Sequence, residues 1–239
     1  MGNVLYLIVA DPRTGSSLLM QTLNLLGVSF YGEKYRDDLS IEMNPKGYYE
    51  SRHILFHGLT QDVLSDLHQQ AETNSVAVKI SLRGLLKSEN YIDWSMLNRS
   101  NTVFLVPIRH PLESAISNLN FFSNQSKKFQ FFKITRSLKK FVDSHQALEY
   151  QLKERKIQKI IGVPYDLAID DPEAYVSYIT KALNLKVSKE QLKNATGNIT
   201  PNLYRFRSEQ FPDKEKKWSI ELGAEQAYER LTKQLVLEY

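Results

Sequence analysis

The sequence predicts an α/β fold with a doubly wound, mainly parallel sheet flanked by helices, because short apolar runs alternate with longer amphipathic stretches. The clearest run is residues 4–10, where seven apolar or small residues follow one another without a break. Such runs are typical of strands buried on both faces of a parallel sheet. Further strands are predicted over residues 76–82, 102–109, where Pro107 breaks the run near its end, and 159–165.

Helices are predicted between these strands. The first begins near residue 16, where Ser16 or Ser17 would cap it, and Gly27 stands at the position of a C-cap glycine. Other helices are predicted over residues 51–70, 112–122, 134–152, 172–183 and 220–237. Residues 29–33 are predicted to be loop, because they are too short for an element with its own core.

Length and composition indicate one domain over residues 1–239. The absence of cysteine excludes a disulfide framework, a thiolate nucleophile and a Cys-ligated zinc site, and it favours a cytoplasmic location. No run approaches the ~20 apolar residues of a transmembrane helix. The five histidines are spread over three segments, so no metal is expected.

Residues 127–159 are strongly basic, with ten Lys or Arg against three Asp or Glu. Such an excess can attract nucleic acid, acidic ligands or an anionic membrane. The apolar residues of the segment recur at helical spacing, from Ile134 to Leu152, so the charges fit the solvated face of an amphipathic helix. No nucleic-acid partner is expected.

The segment that joins the first strand to the first helix is suited to binding an anion. It would place backbone N–H groups, hydroxyls and one guanidinium at the positive end of a helix. Its residues are Pro12, Arg13, Thr14, Gly15, Ser16 and Ser17. The Walker A pattern is absent, which disfavours an ordinary kinase or ATPase loop. A plain turn with a solvated arginine is the alternative interpretation.

A second candidate anion site follows the third predicted strand. Arg109, Pro111 and Ser117 are spaced as Arg-x-Pro-x-x-x-x-x-Ser. Arg109 leaves the strand at its carboxyl end and Ser117 lies about two helical turns later, so both could contact one anionic group. Either residue alone could be structural. Two anion sites on one sheet edge suit a nucleotide with separate phosphates.

With both motifs, the chain resembles the sulfotransferases that use 3′-phosphoadenosine 5′-phosphosulfate (PAPS). The resemblance implies a P-loop NTPase-like three-layer architecture, a 5′-phosphosulfate bound by residues 12–17, and a 3′-phosphate bound by Arg109 and Ser117. It also implies that Tyr165 lies near the adenine and that 3′-phosphoadenosine 5′-phosphate (PAP) is the product. Residues 44–50, Asn-Pro-Lys-Gly-Tyr-Tyr-Glu, are similar to a segment of many bacterial members.

The chain departs from the cytosolic-type pattern in two places. Lys79-Ile80-Ser81 stands where those enzymes have Lys-Ser/Thr-His, so the histidine base is missing. The Arg/Lys-Gly element that completes the 3′-phosphate site is not evident, and Arg205 and Arg207 are the candidates to replace it.

The resemblance implies that Arg13 stabilises charge on the phosphosulfate. Glu33 is the first candidate for the general base, because the segment after the first helix carries a catalytic glutamate in sulfotransferases that resemble the trehalose-modifying bacterial type. His53, His57 and Glu50 are the reserve candidates.

The expected activity is sulfuryl transfer to a hydroxyl or amine of an acceptor that is a small molecule, a glycan or a lipid. Residues 30–75 and 186–239 are expected to form the acceptor side or a lid. One alternative is a small-molecule kinase on a related fold, with Asp11 as the acid at the tip of the first strand. Another is a non-catalytic sensor that binds PAP or a similar nucleotide. The oligomeric state is left open.

Overall fold

The computed structural model describes residues 2–35, 41, 44–88, 91–121, 127–200, 207 and 211–236. Within this part of the chain, a sheet of five parallel strands has the order β2-β3-β1-β4-β5. The strands are β1 (Leu5–Ala10), β2 (Ser29–Phe30), β3 (Val76–Ser81), β4 (Thr102–Ile108) and β5 (Ile160–Pro164). The predicted α/β class with a parallel sheet is confirmed.

Helices connect the strands and cover the sheet. They are α1 (Ser16–Leu25), α2 (Arg52–His57), α3 (Gln61–Thr73), α4 (Leu82–Lys87), α5 (Trp94–Leu97), α6 (Pro111–Phe121), α7 (Lys127–Glu154), α8 (Tyr165–Asp170), α9 (Pro172–Ala182), α10 (Lys189–Asn198), α11 (Asp213–Glu221) and α12 (Ala224–Leu235). Among the described helices, none is both long and apolar enough to cross a membrane.

The sheet is covered on both faces, as the unbroken apolar run of β1 predicted. Leu5, Leu7 and Val9 face a core that α3, α4, α7 and α12 complete. Tyr6 and Ile8 face a second core, formed with α1, α9 and α10. Because successive residues of a strand point to opposite faces, β1 has to be apolar throughout.

The carboxyl ends of β1, β3 and β4 lie side by side. Ala10 pairs with Ser81 of β3, and Ile8 pairs with Leu105 of β4. The chain moves to one side of β1 for β2 and β3 and to the other side for β4 and β5. A strand order that reverses in this way opens a crevice beyond the carboxyl ends, where parallel sheets bind ligands.

Four sequence predictions about elements are wrong. Residues 29–33 are not all loop, because Ser29 and Phe30 pair with β3. Residues 51–70 form two helices rather than one, since Gly58 adopts a φ of 77° and ends α2, and buried Leu59 then precedes α3. Residues 220–237 are likewise divided between α11 and α12. Pro107 does not break β4, because it pairs with Val163 of β5.

The predicted cap of α1 is also wrong. Neither Ser16 nor Ser17 caps the helix: the N-cap residue is Gly15, and no side chain bonds to the first turn. Its N-terminal N–H groups therefore have no capping side chain, unlike those of α3 and α9, which Thr60 and Asp171 cap. A helix that starts this way keeps its donors for another partner.

Candidate functional site

Residues 12–17, here called the phosphate loop, form a tight turn between β1 and α1. Arg13 has a φ of 69° and Gly15 a φ of 94°, so the backbone enters the left-handed region twice. The hydroxyl of buried Thr14 donates to the carbonyl oxygen of Asp11 at 2.8 Å, which ties the loop back to the end of β1. The N–H groups at the start of α1 lie in this turn.

Arg13 joins the phosphate loop to the second motif. Its Nε donates to Ser117 Oγ at 3.1 Å, and its carbonyl oxygen accepts a hydrogen bond from Arg109 Nη1 at 2.9 Å. Arg109 is buried, with 6% of its surface exposed. The two motifs, which are far apart in the sequence, thus form one cluster at the carboxyl edge of the sheet.

Arg109 has a carboxylate partner on the next helical turn. Glu113 of α6 is buried, and its Oε2 lies 3.4 Å from Arg109 Nε. Because a buried guanidinium is costly without a partner, Glu113 stabilises Arg109 in this position. Arg109 Nη1 reaches the loop while Nε faces Glu113, so the guanidinium orientation is fixed from two sides.

Tyr165 at the start of α8 packs on the phosphate loop. A Cβ atom placed on Gly15 would lie 2.1 Å from Tyr165 Cδ2, so only glycine allows this approach. The guanidinium carbon of Arg109 lies 4.8 Å from the centre of the same ring. Burial raises the pKa of Tyr165, although Arg109 and Arg13 act to lower it. The phenol is neutral at physiological pH.

Lys79 of β3 links the phosphate loop to a carboxylate. Its Nζ lies 2.6 Å from Glu50 Oε1 and also donates to Ser17 Oγ at 3.2 Å and to the carbonyl oxygen of Tyr48 at 3.0 Å. The side chains of Lys79 and Glu50 are largely buried, with exposures of 9% and 18%. A cation therefore lies beside the first turn of α1.

Glu33 and Glu50 are neighbours across an antiparallel bridge. The two residues exchange both backbone hydrogen bonds, each at 3.0 Å. Their side chains have different surroundings, because Glu33 is half-exposed and pairs with Arg52 Nε at 3.0 Å, whereas Glu50 pairs with the buried Lys79. Of the two carboxylates, Glu50 is the one connected to the phosphate loop through a lysine.

No family model and no curated protein sequence matches the chain, but solved structures do. The sulfotransferase domain of the Synechococcus PCC 7002 olefin synthase is 16% identical, with a TM-score of 0.56 over 97% of this chain and 95% of that one. The sulfotransferase domain from the curacin biosynthetic pathway is 14% identical, with a TM-score of 0.55 over 95% and 98% of the two chains. Mouse sulfotransferase SULT7A1, solved with PAP, is 10% identical, with a TM-score of 0.58 over 97% and 87%.

The chain has the sulfotransferase fold. The resemblance that the phosphate loop and the Arg109 motif indicated is therefore confirmed at the level of the fold. The match extends over nearly the whole length of the chain and of both sulfotransferase domains.

The other predicted site residues are exposed, have other partners or lie outside the described residues. His53 and His57 are exposed on α2, with ring centres 5.0 Å apart. Arg207 donates to Asp170 Oδ1 at the end of α8 at 2.8 Å. Arg205 lies outside the described residues. Ser81, at the position of the missing histidine, accepts the Gly84 N–H and caps α4.

Sequence reasoning missed the contacts of Lys79, Glu113 and the Asp11–His145 pair. Asp11 Oδ2 lies 3.6 Å from His145 Nδ1, which also hydrogen-bonds to the carbonyl oxygen of Phe141 at 2.9 Å. Lys79 had a recognisable signal, because it is the single charge in the strand Val-Ala-Val-Lys-Ile-Ser. A charge in a buried strand usually has a specific partner.

Within the described residues, no group of three or more potential metal ligands is present.

Proposed function

We propose that the protein transfers a sulfuryl group from PAPS to a hydroxyl or amine of an acceptor. The observation that carries the proposal is the pair of hydrogen bonds that Arg13 makes beside the uncapped N-terminus of α1. Its Nε donates to Ser117 Oγ at 3.1 Å, and its carbonyl oxygen accepts from Arg109 Nη1 at 2.9 Å. Two anion sites at a fixed separation match a nucleotide that is charged at both its 5′ and its 3′ positions.

The donor would bind with its 5′-phosphosulfate against the phosphate loop. Thr14, Gly15, Ser16 and Ser17 lie there to supply backbone N–H groups and hydroxyls, and Pro12 shapes the turn before them. The 3′-phosphate would contact Arg109 and Ser117. We keep Arg205 and Arg207 as further ligands of that phosphate, and Tyr165 as the neighbour of the adenine.

Transfer moves the sulfuryl group from the phosphate oxygen of PAPS to the acceptor oxygen, so one S–O bond forms, one breaks and PAP leaves. Negative charge grows on the leaving phosphate, and fixed cations stabilise such charge best in a site without bulk water. Arg13 and Lys79 stand on two sides of the phosphate loop and are suited to this role. With these cations and the helix N-terminus, the transfer needs no metal in this proposal.

The acceptor hydroxyl must also lose a proton. The resemblance makes Glu33 the first candidate for the base, with His53, His57 and Glu50 in reserve. The contacts of Glu50 favour it as the base, because Lys79 holds its carboxylate next to Ser17, whereas Glu33 is half-exposed in an ion pair with Arg52. General bases act within hydrogen-bond reach of the proton that they accept.

The acceptor side would be formed by residues 30–75 and 186–239 of a single domain. The solved neighbours include retinol dehydratase in complex with androsterone and PAP, so this fold holds a nucleotide and a small organic molecule together in that relative. For this chain we propose a small-molecule, glycan or lipid acceptor.

A calorimetric titration tests the proposal. We expect PAP to bind with the same affinity with and without magnesium, and more tightly than ATP or ADP. Magnesium-dependent binding, or a preference for ATP, would support a kinase instead. Tight binding of PAP without turnover of labelled PAPS over a broad acceptor panel would support a nucleotide sensor.

A further inference from the structure

A group of basic side chains lies beside the phosphate loop, on the face of the sheet opposite Lys79. Asp11 ends the β1 segment immediately before the loop, and Ser81, which pairs with Ala10, is two residues before Arg83 of α4. Helix α4 packs against α7, which carries Arg136, Lys140 and His145. We call Arg83, Arg136 and Lys140 the basic cluster.

Two members of the basic cluster, Arg83 and Lys140, lie near Asp11. Arg83 and Lys140 lie close enough to act on the Asp11 carboxylate, and His145 Nδ1 is 3.6 Å from its Oδ2. Burial raises the pKa of Asp11, and the charges of His145, Arg83 and Lys140 oppose that effect. The hydroxyl of Thr14 donates to the carbonyl oxygen of Asp11, so Asp11 connects the basic cluster to the phosphate loop.

The basic cluster has an excess of positive charge. Burial lowers the pKa of Lys140, and the neighbouring Arg83 and Arg136 lower it further, while Asp11 opposes them. Within the described residues, none of the three cations forms a hydrogen bond or an ion pair of 4 Å or less with another side chain. Arg83 and Arg136 are exposed and Lys140 is half-buried, so the cluster presents its positive charge at the surface, where it can attract an anion.

We propose that the basic cluster binds an anionic group of the acceptor, such as a carboxylate, phosphate or sulfate, and so holds the acceptor hydroxyl against the phosphate loop. The inference rests on the proposed function and adds to it the chemical class of the acceptor. The position of the cluster supports it, because the donor anion sites use Arg13, Arg109 and Ser117 on the β4 side of the loop. The cluster lies on the α4 and α7 side.

The test compares matched probes that differ in charge. 4-Hydroxybenzoate is paired with 4-hydroxybenzamide, and glucose 6-phosphate with glucose, and each is titrated into protein saturated with PAP. Binding is the readout, so the test does not require that the panel contains the natural acceptor. We expect an anionic probe to bind at least roughly tenfold more tightly than its neutral partner, with an affinity that falls as salt is added.

Substitutions test whether the preference for the anionic probe comes from the basic cluster. In Arg83→Ala and Lys140→Ala, the preference for the anionic probe should fall to less than about threefold, while the affinity for PAP stays unchanged. Lys139→Ala is the matched control, because it removes the same charge from the exposed neighbouring position on α7. It should keep the preference.

Three results would overturn the inference: no measurable binding of either anionic probe to the PAP-saturated protein, a preference that survives both substitutions, or a loss of PAP affinity in the same variants. The last would assign the cluster to the donor. Failure of the proposed function is a different result, because it would appear in the wild-type protein as a preference for ATP over PAP, or as PAP binding without turnover of labelled PAPS.

Discussion

Lys79 shows how a single residue gives a buried strand a chemical role. A lysine in a strand that is otherwise apolar has to find an anionic or polar partner, because burying an unpaired ammonium costs several kcal/mol. Lys79 Nζ has Glu50 Oε1 at 2.6 Å and Ser17 Oγ at 3.2 Å. The contact that stabilises the lysine also holds a carboxylate near the helix N-terminus where we place the phosphosulfate.

A pair of substitutions distinguishes the two bridged glutamates. We expect Glu50→Gln to slow transfer by roughly 10²–10⁴, the usual effect of removing a general base, with little change in PAP affinity. Glu33→Gln is the matched control, because it changes the bridged neighbour, whose side chain is half-exposed. The measurements are turnover of labelled PAPS and titration with PAP. If Glu33→Gln lost transfer while Glu50→Gln kept it, the base would be Glu33.

At the scale of elements, α12 connects the segments that carry Arg109 and Tyr165. Glu225 Oε2 lies 3.0 Å from Nε2 of His110, the residue after Arg109. Tyr228 donates to Oδ2 of Asp166, the residue after Tyr165, at 3.2 Å. The C-terminal helix therefore holds both segments in place at the carboxyl edge of the sheet, although it contributes none of the proposed donor ligands.

The Glu225 contact should make stability depend on pH. Burial acts to raise the pKa of Glu225, but the hydrogen bond and the charge of His110, together with the nearby hydroxyl of Ser219, lower it below its ordinary value of 4.5. A carboxyl whose pKa is lower in the folded state stabilises the fold above its unfolded-state pKa, and this stabilisation disappears as the pH falls through the folded-state value.

We therefore expect Glu225→Gln to lower the free energy of unfolding by roughly 0.5–1 kcal/mol at pH 7. The difference from wild type should disappear in acid, below the ordinary pKa of glutamate. Urea unfolding at a series of pH values measures this, with Glu229→Gln, at an exposed position on the same helix, as the control. A difference that stayed constant down to acid would show that the ion pair is not its source.

For the whole molecule, the sequence predicted the parallel sheet well because its four longer strands are short, mainly apolar runs that alternate with amphipathic stretches. It failed for β2, since a strand of two residues has no pattern and exists only because Val76 and Ala77 offer it partners. It also failed at Gly58 and at Gly223, which separates α11 from α12, because helix breaks depend on local backbone geometry as well as on apolar spacing.

The candidate site was predictable to the extent that it is local in sequence. The phosphate loop and the Arg109 motif are short patterns, and the sheet brings them together at one edge, where Arg109 Nη1 reaches the carbonyl oxygen of Arg13. The pairing of Lys79 with Glu50 and that of Asp11 with His145 join residues far apart in the chain. No local pattern specifies such contacts, since they arise only after the helices pack on the sheet.

The last prediction uses the stability of the whole molecule to examine the proposed 3′-phosphate site. A ligand at a hundred times its Kd stabilises the folded protein by about 2.7 kcal/mol, so PAP should raise the unfolding temperature of wild type. Arg109→Ala should weaken PAP by roughly 10–100-fold, the scale of a hydrogen bond to a charged group. Adenosine 5′-phosphosulfate, which has no 3′-phosphate, should be weakened less.

The comparison between the two ligands is needed because Arg109 also has contacts that do not involve a ligand. It bonds to the carbonyl oxygen of Arg13 and pairs with buried Glu113, so Arg109→Ala also loosens the phosphate loop and leaves a buried carboxylate without its arginine. That loss weakens the binding of both ligands. It therefore cancels when the change in binding free energy for adenosine 5′-phosphosulfate is subtracted from the change for PAP. The remainder measures contact with the 3′-phosphate, and a remainder near zero would mean that Arg109 acts only by holding the loop.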